Sequence, residues 1–333
     1  MLRAFEKASS RLLISALAVI LAGCATTPRQ PQAQMERRVF AMGTWLDYEG
    51  PAGEESLRAS GLLFQSISDS ELLLSTWRTD TELARINAGQ IHWKHSVLSR
   101  HLENVLLWSS RLEGAFHAGL GKWILASRIR EGKVDAAALA RLSRHKRIPR
   151  QPSDPDWVWE EGGFGKGLAL DLAAEAVLVD GRAPQEWSLN FGGQILHRGA
   201  GRRLVAIAHP LKRSSEMGRL WIQNESIATS GQAENPGHLL DPRSGRIIPD
   251  EGSATVIHPS ALGADIAATA LAVMGPFRAQ EWWKRVSSKP EFSGLQWIWV
   301  ERTGRITASS GLRERWTDAP SEVLWIGPEP VEN

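Results

Sequence analysis

Between Trp187 and Thr229 the chain carries five short β-type runs: Trp187–Phe191, Ile195–Arg198, Leu204–Ala208, Leu220–Gln223 and Ser226–Thr229. Turn-forming residues punctuate them, among them Gly192-Gly193, Gly199 and Pro210. Short runs of this kind read as antiparallel strands. A further strand and a hairpin are expected near the ends of the chain. Arg38–Tyr48 bends at Met42-Gly43-Thr44, and Gln296–Glu301 returns through Thr303-Gly304 as Arg305–Ala308. Helical spacing appears elsewhere, over Ser56–Leu74, Ser96–Leu112, Lys166–Val179 and Ser260–Met274. In the second of these the expected apolar stripe is Val97, His101, Val105, Trp108 and Leu112. Helices and antiparallel strands are segregated along the chain rather than strictly alternating. That order predicts an α+β fold and argues against a parallel dinucleotide-binding sheet.

The first 23 residues read as a targeting segment. Arg3, Lys7 and Arg11 precede an apolar stretch from Leu12 to Ala22 that is too short for a stable membrane span. It ends in Leu21-Ala22-Gly23-Cys24, which resembles the lipobox of bacterial lipoproteins. That resemblance implies cleavage before Cys24, lipidation of its thiol and new amine, and a membrane anchor facing the periplasm. Ala25 rather than Asp follows the Cys, which favours the outer membrane over the inner. Residues 24–36 then form a tether rich in Thr, Pro, Gln and Ala, and residues 37–333 one globular domain.

Composition narrows the chemistry. The 333 residues hold a single Cys, so neither an intrachain disulfide nor a multi-Cys metal site is available. Lys and Arg number 39 against 37 Asp and Glu; removing residues 1–23 takes away three and one, leaving 36 of each. A neutral mature chain offers no electrostatic footprint for nucleic acid.

Three segments have the makings of a site. Gly162-Gly163-Phe164-Gly165-Lys166-Gly167 opens a helix, where free N–H groups and the dipole favour a phosphate. Its spacing fits neither a dinucleotide fingerprint, since Leu168 stands where a Gly is required, nor a P-loop, since no Ser or Thr follows Lys166. Asp265 and Thr269 are four residues apart and share a helix face, a carboxylate and a hydroxyl suited to Mg²⁺. His238 lies close to Asp241, which either orients the imidazole or caps the turn before Pro242.

These segments occur in a fixed order with others: Met42-Gly43-Thr44, Ser75-Thr76-Trp77 with Glu82–Asn87, Gly162–Asp171, Asn190–Ile195, Ala228–Gly231, His238–Gly245 and Ala264–Ala270. The series resembles the FAD:protein FMN transferase (ApbE) family over roughly residues 38–310. The resemblance implies a T-fold-like α+β domain that binds FAD and Mg²⁺ and moves FMN onto a Thr or Ser hydroxyl of an acceptor flavoprotein subunit, releasing AMP. By position, Met42, Trp77, Ala115, Phe116, His117, Glu160, Lys166 and Leu240 would contact FAD. Asp265, Thr269 and a carbonyl near Gly163 would hold the metal, and His238 with Asp241 would serve catalysis, His238 taking the acceptor proton.

Two departures from the family pattern bear on activity: Phe116-His117-Ala118-Gly119 replaces the usual Phe-Asp-Pro-Thr, and Gln232 stands where Asp or Asn is common. Two other functions are consistent with the same residues, a non-catalytic membrane-tethered FAD-binding protein and an FAD pyrophosphatase. The anchor is testable separately. Cys24→Ser is expected to lose its lipid and to leave the membrane fraction after a high-salt wash, while the domain keeps its melting temperature.

Overall fold

The computed structural model describes residues 33–128, 134–145, 147–212, 214–233 and 236–327. The leader, Cys24 and most of the tether lie outside them. The chain opens with β1 (Gln34–Ala41), β2 (Thr44–Pro51) and α1 (Glu54–Leu74). Four helices follow: α2 (Glu82–Asn87), α3 (Ser99–Arg111), α4 (Gly121–Ser127) and α5 (Ala136–His145). After α6 (Gly165–Asp180) come β3 (Glu186–Phe191), β4 (Gln194–Gly199), β5 (Arg203–Ala208), β6 (Glu216–Ile222) and β7 (Ser226–Gly231). A small hairpin, β8 (Leu240–Asp241) and β9 (Arg246–Ile247), leads to β10 (Gly252–His258) and α7 (Ala261–Val286). The described chain ends with β11 (Gln296–Glu301), β12 (Ile306–Ser309), β13 (Trp316–Thr317) and β14 (Val323–Ile326).

Nine strands form one sheet in the order β1-β2-β3-β4-β7-β10-β11-β12-β14, antiparallel except for the last pair. A second sheet, β13-β6-β5, packs against it through Val205, Ile207, Leu220 and Ile222 on one side and Ile227, Ile257 and Ile298 on the other. Helices α1 and α6 cover the β1–β4 end, with Leu63, Ile67, Ala169 and Ala173 meeting Leu46, Leu189 and Phe191. Helices α3 and α7 bury Leu102, Val105, Trp108, Leu262 and Ile266 against Val256, Trp297 and Trp299. The α+β class expected from the strand and helix order is the observed one.

Several boundaries differ from expectation, each for a local reason. Gln34–Glu36, assigned above to the tether, are the first residues of β1 and pair with Pro51, Gly50 and Glu49. Met42 and Gly43 both take left-handed φ (44° and 76°), the conformation a two-residue hairpin turn requires. On α3 the expected stripe holds at Val105, Trp108 and Leu112, but its first two positions shift by one residue, from Val97 and His101 to Leu98 and Leu102. Leu98, Leu102, Val105, Trp108 and Leu112 are buried, whereas Val97 is 71% exposed and precedes the helix. The helix expected to end at Met274 does break there, at Gly275 (φ 75°) and Pro276, but a further helical segment continues to Val286. The elements α2, β8, β9 and β13 are too short to show periodicity in the sequence.

Asp171, on α6, organises the start of α7. Its two carboxylate oxygens accept the Ser260 hydroxyl (2.6 Å) and the N–H groups of Ala261 (2.7 Å) and Leu262 (3.0 Å). Asp171→Ala strands these buried donors, and we expect a loss of about 2 kcal/mol in denaturant unfolding. Asp171→Asn, which keeps an acceptor oxygen, should lose less.

Candidate active site

Helices α6 and α7 cross at their N-terminal ends, and Gly167 sets how closely. A Cβ there would lie 2.5 Å from the Ala261 carbonyl oxygen and 2.8 Å from Cβ of Asp265, so only Gly fits. The close approach lets the Asp265 carboxylate accept the Gly167 N–H at 3.0 Å. Asp265 is 7% exposed, and burial raises its pKa above the usual carboxylate value, opposed by the Lys166 charge and the Gly167 hydrogen bond. One turn along α7, the Thr269 hydroxyl is 3.3 Å from the Ser230 hydroxyl and faces Gly163, whose Cβ position is 3.4 Å from Thr269 Oγ1. Asp265, Thr269 and Gly163 are thus brought together from the ends of two helices.

They lie in a cavity of about 830 Å³ between the two sheets and the helix ends. Of the residues anticipated from sequence, Trp77, Ala115, Phe116, His117, Glu160, Gly163, Lys166, His238, Leu240, Asp265 and Thr269 all line it. Val205, Ile207 and Leu239 supply apolar wall, and Thr229, Ser230, Ser253 and Thr255 a row of hydroxyls. Trp77 is 67% exposed at the rim. Its loop is fixed by Glu161, which takes the Thr76 N–H at 3.1 Å and also the Thr76 hydroxyl. Glu161 itself was not anticipated; an acidic residue directly before the Gly-rich turn was its only sequence signal.

Two anticipated residues do not line the cavity. Met42 stands at the tip of the β1–β2 hairpin, its N–H on Glu71 (3.2 Å) and its Cε near Gly165 in the first turn of α6. Asp241 settles between its two readings in favour of the turn. Its carboxylate accepts from Arg243 N (3.0 Å), Arg243 Nε (2.7 Å) and the Ser244 hydroxyl (3.3 Å), and its carbonyl accepts Ser244 N and Gly245 N. This arrangement shapes the loop that carries Leu240 rather than aiming a carboxylate at His238.

The departures at 117 and 232 acquire structural meaning. His117 is bonded at both ring nitrogens: Nδ1 accepts the Gly119 N–H (3.0 Å), so Nε2 carries the proton it donates to the Pro149 carbonyl (2.7 Å). Burial lowers its pKa, keeping it neutral, and Trp157 lies against the ring at 4.8 Å. It shapes the wall and has no ring nitrogen left for proton transfer. Gln232 donates to the Ile248 carbonyl (2.8 Å) and accepts the Gly237 N–H (2.6 Å), which anchors the loop leading into His238.

The donor set fits a small hard cation. Among the described residues no group of three or more His, Cys, Asp or Glu is placed to hold a metal. One buried carboxylate and one hydroxyl, with the Gly163 backbone beside them, match an ion that takes its remaining ligands from phosphate and water.

Residues 42–292 match the model of the ApbE family, three quarters of the chain. This protein belongs to the ApbE family. Among its relatives, the FAD:protein FMN transferase of Klebsiella pneumoniae (strain 342) is 28% identical, over 79% of this chain and 86% of that protein. The Escherichia coli (strain K12) protein of the same name is 27% identical over 83% and 90%. The fold matches the flavin transferase ApbE from Vibrio cholerae with a TM-score of 0.68 at 20% identity, covering 86% of this chain and all of that one.

The buried carboxylate has a measurable signature. A folded-state pKa above the unfolded value means that ionisation favours the unfolded chain, so the Asp265 contribution destabilises progressively above pH ~4 and vanishes below it. Under a chelator at pH 7, Asp265→Asn should therefore melt higher than the parent protein, and the gap should close as pH falls. Thermal unfolding across pH tests this.

Proposed function

We propose that this protein transfers FMN from FAD to a Thr or Ser hydroxyl of an acceptor protein, with release of AMP and dependence on Mg²⁺. The observation that carries the reading is the placement of Asp265, Thr269 and Gly163 beside Lys166 at the start of α6, in the same cavity as His238. A helix N-terminus with a lysine attracts a diphosphate, and the apolar walls with the exposed face of Trp77 suit flat aromatic rings. His238 takes the proton of the acceptor hydroxyl as its oxygen bonds to the FMN phosphorus, and the anhydride bond to AMP breaks. Mg²⁺, held by Asp265, Thr269 and the Gly163 carbonyl, would neutralise charge on the phosphate oxygens. The lipobox supports a lipoprotein tethered through Cys24 to the periplasmic face of the outer membrane, with a periplasm-exposed flavoprotein subunit as acceptor.

The test uses purified protein, FAD, a Mg²⁺ titration and a peptide bearing a Thr acceptor, read as in-gel flavin fluorescence, with AMP release measured separately. His238→Ala should lose transfer by at least about 100-fold while still binding FAD. AMP release without acceptor, unaccompanied by transfer, identifies a pyrophosphatase. Tight FAD binding without either product identifies a flavin-binding protein.

A further inference from the structure

Helices α1 and α6 lie antiparallel, and two contacts fix their direction. Arg58, in the second turn of α1, is paired through Nε with Asp180 at the end of α6 (2.8 Å). At the other end, Thr76, just past α1, is bonded to Glu161 before α6. The domain therefore has two poles. The cavity lies at the pole where α6 begins, lined there by Gly163 and Lys166 with the exposed Trp77 at its rim. At the opposite pole α6 ends, α1 begins and the chain enters: the Ala33 carbonyl accepts the Ala52 N–H, two residues before α1. The 16 residues of α6 separate the poles by about 24 Å.

The entry pole carries bare aliphatic side chains. Leu57 is 56% exposed, and the adjacent Leu178 and Val179 are 76% and 81% exposed. Their charged neighbours are of both signs, Glu54, Glu55 and Arg182 exposed and Arg58 matched to Asp180. The face combines aliphatic side chains with charges of both signs and is not basic, so a polyanion is a poor occupant. Its position points to a different one. Cys24 precedes Ala33 by nine residues, a reach of at most about 30 Å when fully extended. A lipid held at Cys24 keeps this pole within that distance of the bilayer surface, at the high effective concentration a short tether gives.

We propose that the pole formed by Leu57, Leu178 and Val179 rests on the lipid surface, so that the cavity opens away from the membrane toward soluble protein. The proposal rests on the lipid anchor of the preceding reading. Because the contact is apolar, it should persist in high salt.

The lipidated full-length protein, reconstituted in vesicles of phosphatidylethanolamine and phosphatidylglycerol, tests it. Cys24 is the only native Cys and is acylated in this form, so Val179→Cys and Leu72→Cys each supply one thiol for an environment-sensitive fluorophore. Leu72 is an equally apolar exposed residue near the cavity end of α1. The label at 179 should shift to the blue and lose intensity to lipid-borne quenchers, while that at 72 should emit as in water. A label at Leu57→Cys should lose its quenching when Leu178→Glu and Val179→Glu are added, with FMN transfer to peptide unchanged. Vesicle-bound protein whose label at 179 stays aqueous, or whose label at 72 is the quenched one, overturns the proposal alone. Protein that fails to float with the vesicles overturns the anchor reading and this proposal with it.

Discussion

Two carboxylates exchanged between crossing helices hold this site together. Asp171 of α6 satisfies the first N–H groups of α7, and Asp265 of α7 accepts an N–H from the first turn of α6. Each negative group sits at the positive end of the partner helix. The exchange demands that the helices nearly touch, which the missing side chain at Gly167 permits. Asp171 spends both oxygens on its three donors. Burial raises the pKa of Asp265, and its single hydrogen bond leaves it with lone pairs to offer a cation.

The rest of the fold serves this crossing. The large sheet fixes β7 and β10 beneath α7, which sets Ser230 against Thr269 and lines the cavity floor with hydroxyls. The small sheet packs onto it through aliphatic side chains and supplies the apolar wall of β5. Loops do the fine placement: Glu161 holds the segment bearing Trp77, Gln232 the one bearing His238, and Asp241 the turn after Leu240.

The two departures from the family pattern are accommodated rather than disruptive. A neutral His117 with both nitrogens bonded to backbone fills its position with a rigid ring packed on Trp157. A longer amide at 232 reaches two backbone groups, Gly237 and Ile248, at once. Neither change alters Asp265, Thr269 or Gly163.

The sequence by itself carried the class of fold, because strand alternation and helical spacing are local properties of the chain. It also carried most of the cavity residues, because they occur in short motifs in a characteristic order. Boundaries and roles that depend on distant partners were not legible. The true stripe on α3 is set by what α7 and the sheet present to it, so Leu98 and Leu102 displaced Val97 and His101. Whether Asp241 faced His238 or its own turn depended on where Arg243 and Ser244 fell in space. Glu161 and Gln232 act on loops 85 and 5 residues away, through backbone groups no motif records. The pKa of Asp265 belongs to this second kind. A carboxylate four residues before a threonine is visible in the chain, but its desolvation exists only once α6 and α7 have closed over it.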